Sequence, residues 1–141
     1  MSQRDRQGLV PADPSQWSPA SQRSISFHYI KEYRDIAYRC WRCKAEAVFF
    51  AEDQKYTYEV KKAPIDQQRI LCNECWKQRN MIEAEIENCR ECWASDKVVY
   101  ARDREFLRRW LQLLVSRGEY VPYHPDVATK RMLEKLLAGP A

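Results

Sequence analysis

The sequence predicts a small, mostly helical α+β fold in which a cysteine knuckle, a β-hairpin and a helix are followed by C-terminal helices. Three observations lead to this prediction. Cys-x-x-Cys pairs begin at Cys40, Cys72 and Cys89. The stretch between the first two pairs is rich in aromatic and β-branched residues, which favour strands. After the second pair, apolar residues recur at helical spacing.

The first 24 residues mix Pro, Ser, Gln and Asp with few large apolar side chains. Such a segment buries too little surface to offset the entropy lost on ordering, so we predict that residues 1–24 are a disordered tail with Trp17 exposed in it. The segment lacks the apolar core of a secretory signal, and no apolar run in the sequence reaches the length of a membrane span. We therefore expect a cytoplasmic protein without a membrane partner, whose cysteines are metal ligands or redox thiols.

Residues 25–93 are predicted to form a metal-binding domain. An extended segment leads to the first cysteine pair. The β-prone stretches AVFF (47–50) and KYTYEV (55–60) flank AEDQ (51–54), which we interpret as the turn of a hairpin. WKQRNMIEAEIEN (76–88) follows the second pair and contains good helix formers without Gly or Pro.

Residues 94–141 are predicted to be a helical C-terminal region. One helix is expected to begin near Asp103 as its N-cap and to end at Gly118. Another is expected to place Pro125 at its first position and to end before Gly139. Their apolar residues recur at the spacing of amphipathic helices, which indicates that they pack in a core.

The first two pairs predict one zinc site. Each Cys-x-x-Cys turn presents two thiolates, and two such turns complete a tetrahedron, so the predicted ligands are Cys40, Cys43, Cys72 and Cys75. A knuckle, a hairpin and a second pair at the start of a helix form the layout of a treble clef. Four thiolates leave no position for water or substrate, so we expect the zinc to be structural.

A specific set of residues accompanies these cysteines over residues 38–80. The set consists of Tyr38, Cys40, Cys43, Phe49, Phe50, Ala51, Gln54, a following aromatic, Cys72, Cys75, Lys77 and Arg79. This run resembles a bacterial family of small domains described as probable zinc ribbons. The resemblance implies the same four zinc ligands and no catalytic activity. Trp41 and Trp76 depart from it, because such domains more often carry small or basic residues there.

The third pair leaves several interpretations open. CRECW (89–93) repeats the pattern of CNECW (72–76), and VYARDREF (99–106) resembles FFAEDQKY (49–56). The stretch ENCRECWASDKVVYARDREF (87–106) would then be a decayed second copy of the knuckle and hairpin. A second zinc ion would then bind Cys89, Cys92 and His124, with Asp126 or His28 as the fourth ligand. Alternatively, the cysteines of two chains share a zinc ion in a homodimer, form a reversible disulfide as a redox-responsive switch, or remain free thiols.

Two classes of function follow. The first is a non-enzymatic zinc-binding module that contacts protein or nucleic acid; the net charge of +4 is too small to select nucleic acid by itself. Its candidate contact residues are Arg39, Trp41, Arg42, Lys44, Lys61, Lys62, Lys77 and Arg79. The second is a metal-dependent nuclease, which would need a histidine on the hairpin. Residues 44–62 contain none, so we do not expect an enzyme.

Overall fold

Residues 9–139 are described by the computed structural model, and their contacts divide them into two units. The first unit comprises residues 9–40 and 44–72. The second comprises residues 41–43 and 73–139.

Two antiparallel strand pairs and several short helical segments build the first unit. The strands are β1 (Val10–Pro11), β2 (Glu32–Tyr33), β3 (Ile36–Arg39) and β4 (Glu46–Phe49), with β1 pairing β2 and β3 pairing β4. The helical segments are a 3-10 turn (Pro14–Gln16), α1 (Pro19–Gln22), α2 (Ser26–Tyr29), α3 (Ala51–Lys55) and a π-helical turn (Tyr56–Val60).

The core of the first unit contains the N-terminal segment. Val10 and Trp17 are buried, and Trp17 exposes only 2% of its surface. The Trp17 Nε1 donates to the hydroxyl of Tyr33 at 2.8 Å, and that hydroxyl donates to Glu59 Oε2 at 2.7 Å. The predicted disordered tail is therefore wrong for residues 9–24, whereas residues 1–8 lie outside the described residues. A single Trp buries enough apolar area to anchor a segment that is otherwise polar in composition.

The hairpin exists but uses different strands from those predicted. β4 pairs with β3 across the first cysteine pair, with Ile36 opposite Phe49, and the stretch predicted as the turn and second strand is helical. Ala51 N donates to a side-chain oxygen of Asp35 at 2.8 Å, which satisfies a backbone group that the start of a helix leaves free. Lys55 and Glu59 form an ion pair at 3.0 Å across one helical turn, which a strand could not bring together in this way.

The second unit is helical throughout its described elements, which are α4 (Asn73–Ser95), α5 (Lys97–Tyr100), α6 (Arg104–Arg117) and α7 (Val127–Ala138). Aspartates cap three of them, because the side chains of Asp96, Asp103 and Asp126 each accept a backbone N–H at the start of the following helix. The Asp103 cap and the end of α7 before Gly139 agree with the predictions made from the sequence. The last helix begins after Asp126 instead of at Pro125.

One apolar core joins α4, α6 and α7. Its buried residues are Ile86, Cys89, Leu107, Trp110, Leu113 and Leu133. α4 runs through residue 93, so the predicted boundary there falls inside a continuous helix. The decayed copy of the hairpin is also wrong, since residues 97–100 and 104–117 are helical. Within residues 9–139, no helix combines the length and apolar character that crossing a bilayer requires.

We predict that Trp17→Ala lowers the free energy of unfolding by about 3–5 kcal/mol, because it removes a large buried side chain. The measurement is denaturant-induced unfolding of the metal-loaded protein. Tyr29→Ala is the matched control, since Tyr29 is 75% exposed, and it should change the midpoint little. Equal midpoints for wild type and Trp17→Ala would show that the N-terminal segment contributes nothing to the fold.

Candidate metal centre

The turn between β3 and β4 carries the first cysteine pair. Cys40 N donates to Ala45 O at 2.8 Å, and Lys44 N donates to Cys40 O at 3.0 Å. Lys44 takes a left-handed backbone with φ of 65°, which lets the chain reverse within a few residues. The reversal keeps Cys40 and Cys43 at the same end of the hairpin.

The start of α4 carries the second pair. Cys72 directly precedes the helix, and Cys75 lies in its first turn. The hydroxyl of Tyr38 donates to Leu71 O at 2.9 Å, which ties the residue before Cys72 to β3. The partial positive charge of a helix N-terminus stabilises thiolates placed there.

The two pairs converge on one group of sulfur atoms. The Sγ atoms of Cys40, Cys43, Cys72 and Cys75 all lie within 4.8 Å of one another. A tetrahedral zinc ion with Zn–S bonds of about 2.3 Å needs sulfur atoms about 3.8 Å apart, a separation that lies within this limit. Cys40 and Cys75 are buried, whereas Cys43 is exposed. The donor set therefore fits a metal ion that prefers four thiolates.

An arginine of the first knuckle lies beside this group. Arg42, within the first knuckle, donates from Nη1 to Cys75 Sγ at 3.9 Å. This hydrogen bond is the main cause that raises the pKa of the Arg42 guanidinium. Sequence reasoning placed Arg42 only among surface cations, because nothing in the local pattern shows which side chain a knuckle arginine will meet.

The third pair lies in a different environment. Cys89 is 7% exposed among the apolar residues of the helical core, and this burial raises the pKa of its thiol. Cys92 is partly exposed, and its hydrogen bond with Tyr100 is the main cause that raises the pKa of that phenol.

The second zinc site predicted from Cys89, Cys92 and His124 is not formed. Within residues 9–139, the four-cysteine group is the only set of three or more such ligand atoms that could share an ion. Asp126, proposed as a fourth ligand, instead caps α7 and pairs with Arg90 at 3.6 Å. Cys89 is buried in the helical core, and Asp126 caps the N-terminus of α7, so the predicted ligands do not converge on one point.

The comparison with protein families agrees with this geometry. Residues 34–84 match a family model described as a probable treble clef domain. The match covers both cysteine pairs, the β3–β4 hairpin and the first half of α4, a little over a third of the chain. Together with the four-cysteine group and the helices α6 and α7, the match confirms the expected treble-clef-like domain followed by C-terminal helices. No curated protein and no solved structure shows a significant similarity to the chain.

We predict one bound zinc ion per chain, unchanged in the Cys89→Ser/Cys92→Ser variant and lost in the Cys72→Ser/Cys75→Ser variant. The physical reason is that only the first two pairs place their sulfur atoms in one group. Native mass spectrometry of the folded protein measures the stoichiometry directly. Two zinc ions in the wild type, falling to one in the Cys89→Ser/Cys92→Ser variant, would contradict the single site.

Proposed function

We propose that this chain is a non-enzymatic zinc-binding protein, in which a structural zinc ion supports a treble clef module that contacts a protein or nucleic-acid partner. The observation that carries the proposal is the group of four sulfur atoms within 4.8 Å of one another. A zinc ion held by four thiolates has no open position for a substrate or a reactive water. Its contribution is therefore to folding.

The size of the module supports a structural ion. A module of about 50 residues buries a smaller fraction of its surface than a larger domain does, so its apolar contacts alone leave it marginally stable. A structural zinc ion contributes about 10–16 kcal/mol of apparent binding free energy, and this energy becomes folding energy when the site forms with the fold. The zinc would therefore fix the hairpin turn and the start of α4 in one arrangement.

The start of α4 presents the contact surface that we favour. Trp76 is 43% exposed, and the guanidinium carbon of Arg79 lies 4.8 Å from the centre of its ring. Lys77 lies beside them and is also exposed. An exposed indole with neighbouring cations can stack on a base and pair with phosphate, and it can equally contact an acidic protein surface. Single-stranded nucleic acid is the partner class to test first.

The other functions have less support. Neither the knuckle nor the strands β3 and β4 contain a histidine, so the hairpin lacks the general base that a treble clef nuclease would use. A redox switch through Cys89 and Cys92 needs a reactive thiolate, whereas burial of Cys89 favours the neutral thiol. Sharing a zinc ion between two chains through this pair would require the core around Cys89 to open. We place the protein in the cytoplasm, where a reducing environment keeps such thiols available for metal.

We predict that Trp76→Ala weakens binding of a short fluorescein-labelled single-stranded RNA by about 1–3 kcal/mol, the usual contribution of one stacked base. Fluorescence anisotropy at two salt concentrations measures the affinity. Arg79→Gln should weaken binding and reduce the salt dependence, since it removes a phosphate contact. Arg108→Gln, an exposed cation on α6, is the control for charge alone. A zinc-loaded wild type that does not bind RNA or DNA would leave a protein as the partner class.

We predict that iodoacetamide modifies Cys92 well before Cys89 in the folded, zinc-loaded protein near neutral pH. Burial raises the pKa of the Cys89 thiol, so this thiol stays neutral and reacts slowly near neutral pH. The folded protein keeps its full stability below the ordinary thiol pKa and loses stability as the pH rises from there through the raised pKa of Cys89. Mass spectrometry of peptides after timed labelling gives both rates. Fast labelling of Cys89, or a disulfide confined to this pair under mild oxidant, would restore the redox alternative.

A further inference from the structure

Arg42 makes three contacts that link the first knuckle to the C-terminal end of α6. Its Nη1 lies 3.9 Å from Cys75 Sγ, and its Nη2 lies 3.6 Å from Glu119 Oε2. Its guanidinium carbon lies 4.4 Å from the centre of the Tyr120 ring. All four residues belong to the second unit. One planar cation thus contacts a predicted metal ligand, a carboxylate and an aromatic face.

The contact with Cys75 matters because of the charge that a four-thiolate zinc site carries. Four thiolates and one Zn²⁺ leave a net charge of about −2. Cys75 is buried, so solvent screens its share of this charge poorly. An N–H donor from a cation lowers the electron density on the sulfur and offsets the charge, as outer hydrogen-bond partners do at other metal sites.

The position of Arg42 is itself held by the segment after α6. Tyr120 is buried, and its hydroxyl donates to Gln78 Oε1 on α4 at 2.7 Å. Val121 is buried as well. Burial and the hydrogen bond to α4 therefore hold the ring beneath the guanidinium in place, while the Glu119 carboxylate attracts the guanidinium from the side.

We propose that Arg42 is a positioning residue of the metal centre, and that the segment Glu119–Tyr120 tunes the metal affinity by holding its guanidinium against Cys75. The proposal rests on the zinc site proposed above. Such coupling is reciprocal. If the segment Glu119–Tyr120 strengthens metal binding, metal binding must stabilise that segment by the same free energy.

A plain surface ion pair between Arg42 and Glu119 would behave differently. Exposed ion pairs contribute little and respond only to the net charge and the salt concentration. The proposal instead requires that Arg42 changes the affinity for the metal ion, and that Glu119 changes this affinity only by positioning Arg42.

The experiment compares zinc affinities, by competition with a chromophoric chelator, for wild type, Arg42→Gln, Arg42→Lys, Glu119→Gln and the Arg42→Gln/Glu119→Gln double variant. Loss of an outer hydrogen-bond partner typically weakens metal binding about 10–100-fold, and we expect this for Arg42→Gln. Glu119→Gln should weaken it about two- to five-fold. The double variant should be no weaker than Arg42→Gln, since the two residues act in series. Arg108→Gln removes one charge elsewhere on α6 and should leave the affinity unchanged.

Two further readouts separate this role from a general loss of stability. With Co²⁺ in place of zinc, Arg42→Gln should move the sulfur-to-metal charge-transfer band to lower energy, because the thiolate loses a hydrogen bond. Hydrogen exchange should show that metal protects the backbone amides of Tyr120 and Val121, which bond to Arg117 O, in the wild type but not in Arg42→Gln.

The outcomes are distinguishable. A wild type that binds no zinc would refute the proposed function itself. Zinc binding that is equal in the wild type, Arg42→Gln and Glu119→Gln would refute the role of Arg42 alone. If Arg42→Gln fails to fold, Arg42→Lys and Glu119→Gln decide, since the first keeps a cation at position 42 and the second keeps Arg42 itself. Unchanged zinc affinity and an unchanged cobalt spectrum in both variants would overturn the proposal.

Discussion

The convergence of four sulfur atoms is the constraint on which the rest of this structure depends. It requires two tight turns, one at the end of a hairpin and one at the start of a long helix, to reach the same point. The two turns are formed by different local backbone conformations. Lys44 accepts a left-handed conformation in the first, and the helix N-terminus receives Cys75 in the second. A metal ion would make this convergence stable, because the thiolates repel one another without it.

Different interactions stabilise the cores of the two units. The first relies on a buried chain of hydrogen bonds from Trp17 through Tyr33 to Glu59, which satisfies the polar groups that its aromatic side chains bring inside. The second is almost entirely apolar and joins three helices. Particular hydrogen-bond partners therefore specify the first core, whereas we expect the second core to accept apolar residues of similar volume more readily.

The two similar stretches CNECW and CRECW show how position within a helix changes the chemistry of the same residues. In the first, Cys75 lies at the N-terminus of α4, where thiolates are stabilised and a second pair is near. In the second, Cys89 lies well inside the same helix and faces the apolar core, where burial raises the pKa of its thiol. The second stretch lies inside the continuous helix α4, so its backbone does not form the tight reversal of a zinc knuckle. Metal binding thus depends on the turn as much as on the cysteines.

The sequence by itself determined the four-cysteine site, a helix that begins at the second cysteine pair, and the helical C-terminal half, because spacing, periodicity and caps such as Asp103 are local signals. Tertiary structure decided the rest. Only packing shows that Trp17 orders the N-terminal segment, that β4 pairs with β3, and that the stretch after β4 is helical, since β-prone residues become helical when buried contacts favour it. Only packing, likewise, brings Glu119 and Tyr120 to Arg42. These outcomes depend on contacts between residues far apart in the chain, which no local pattern encodes.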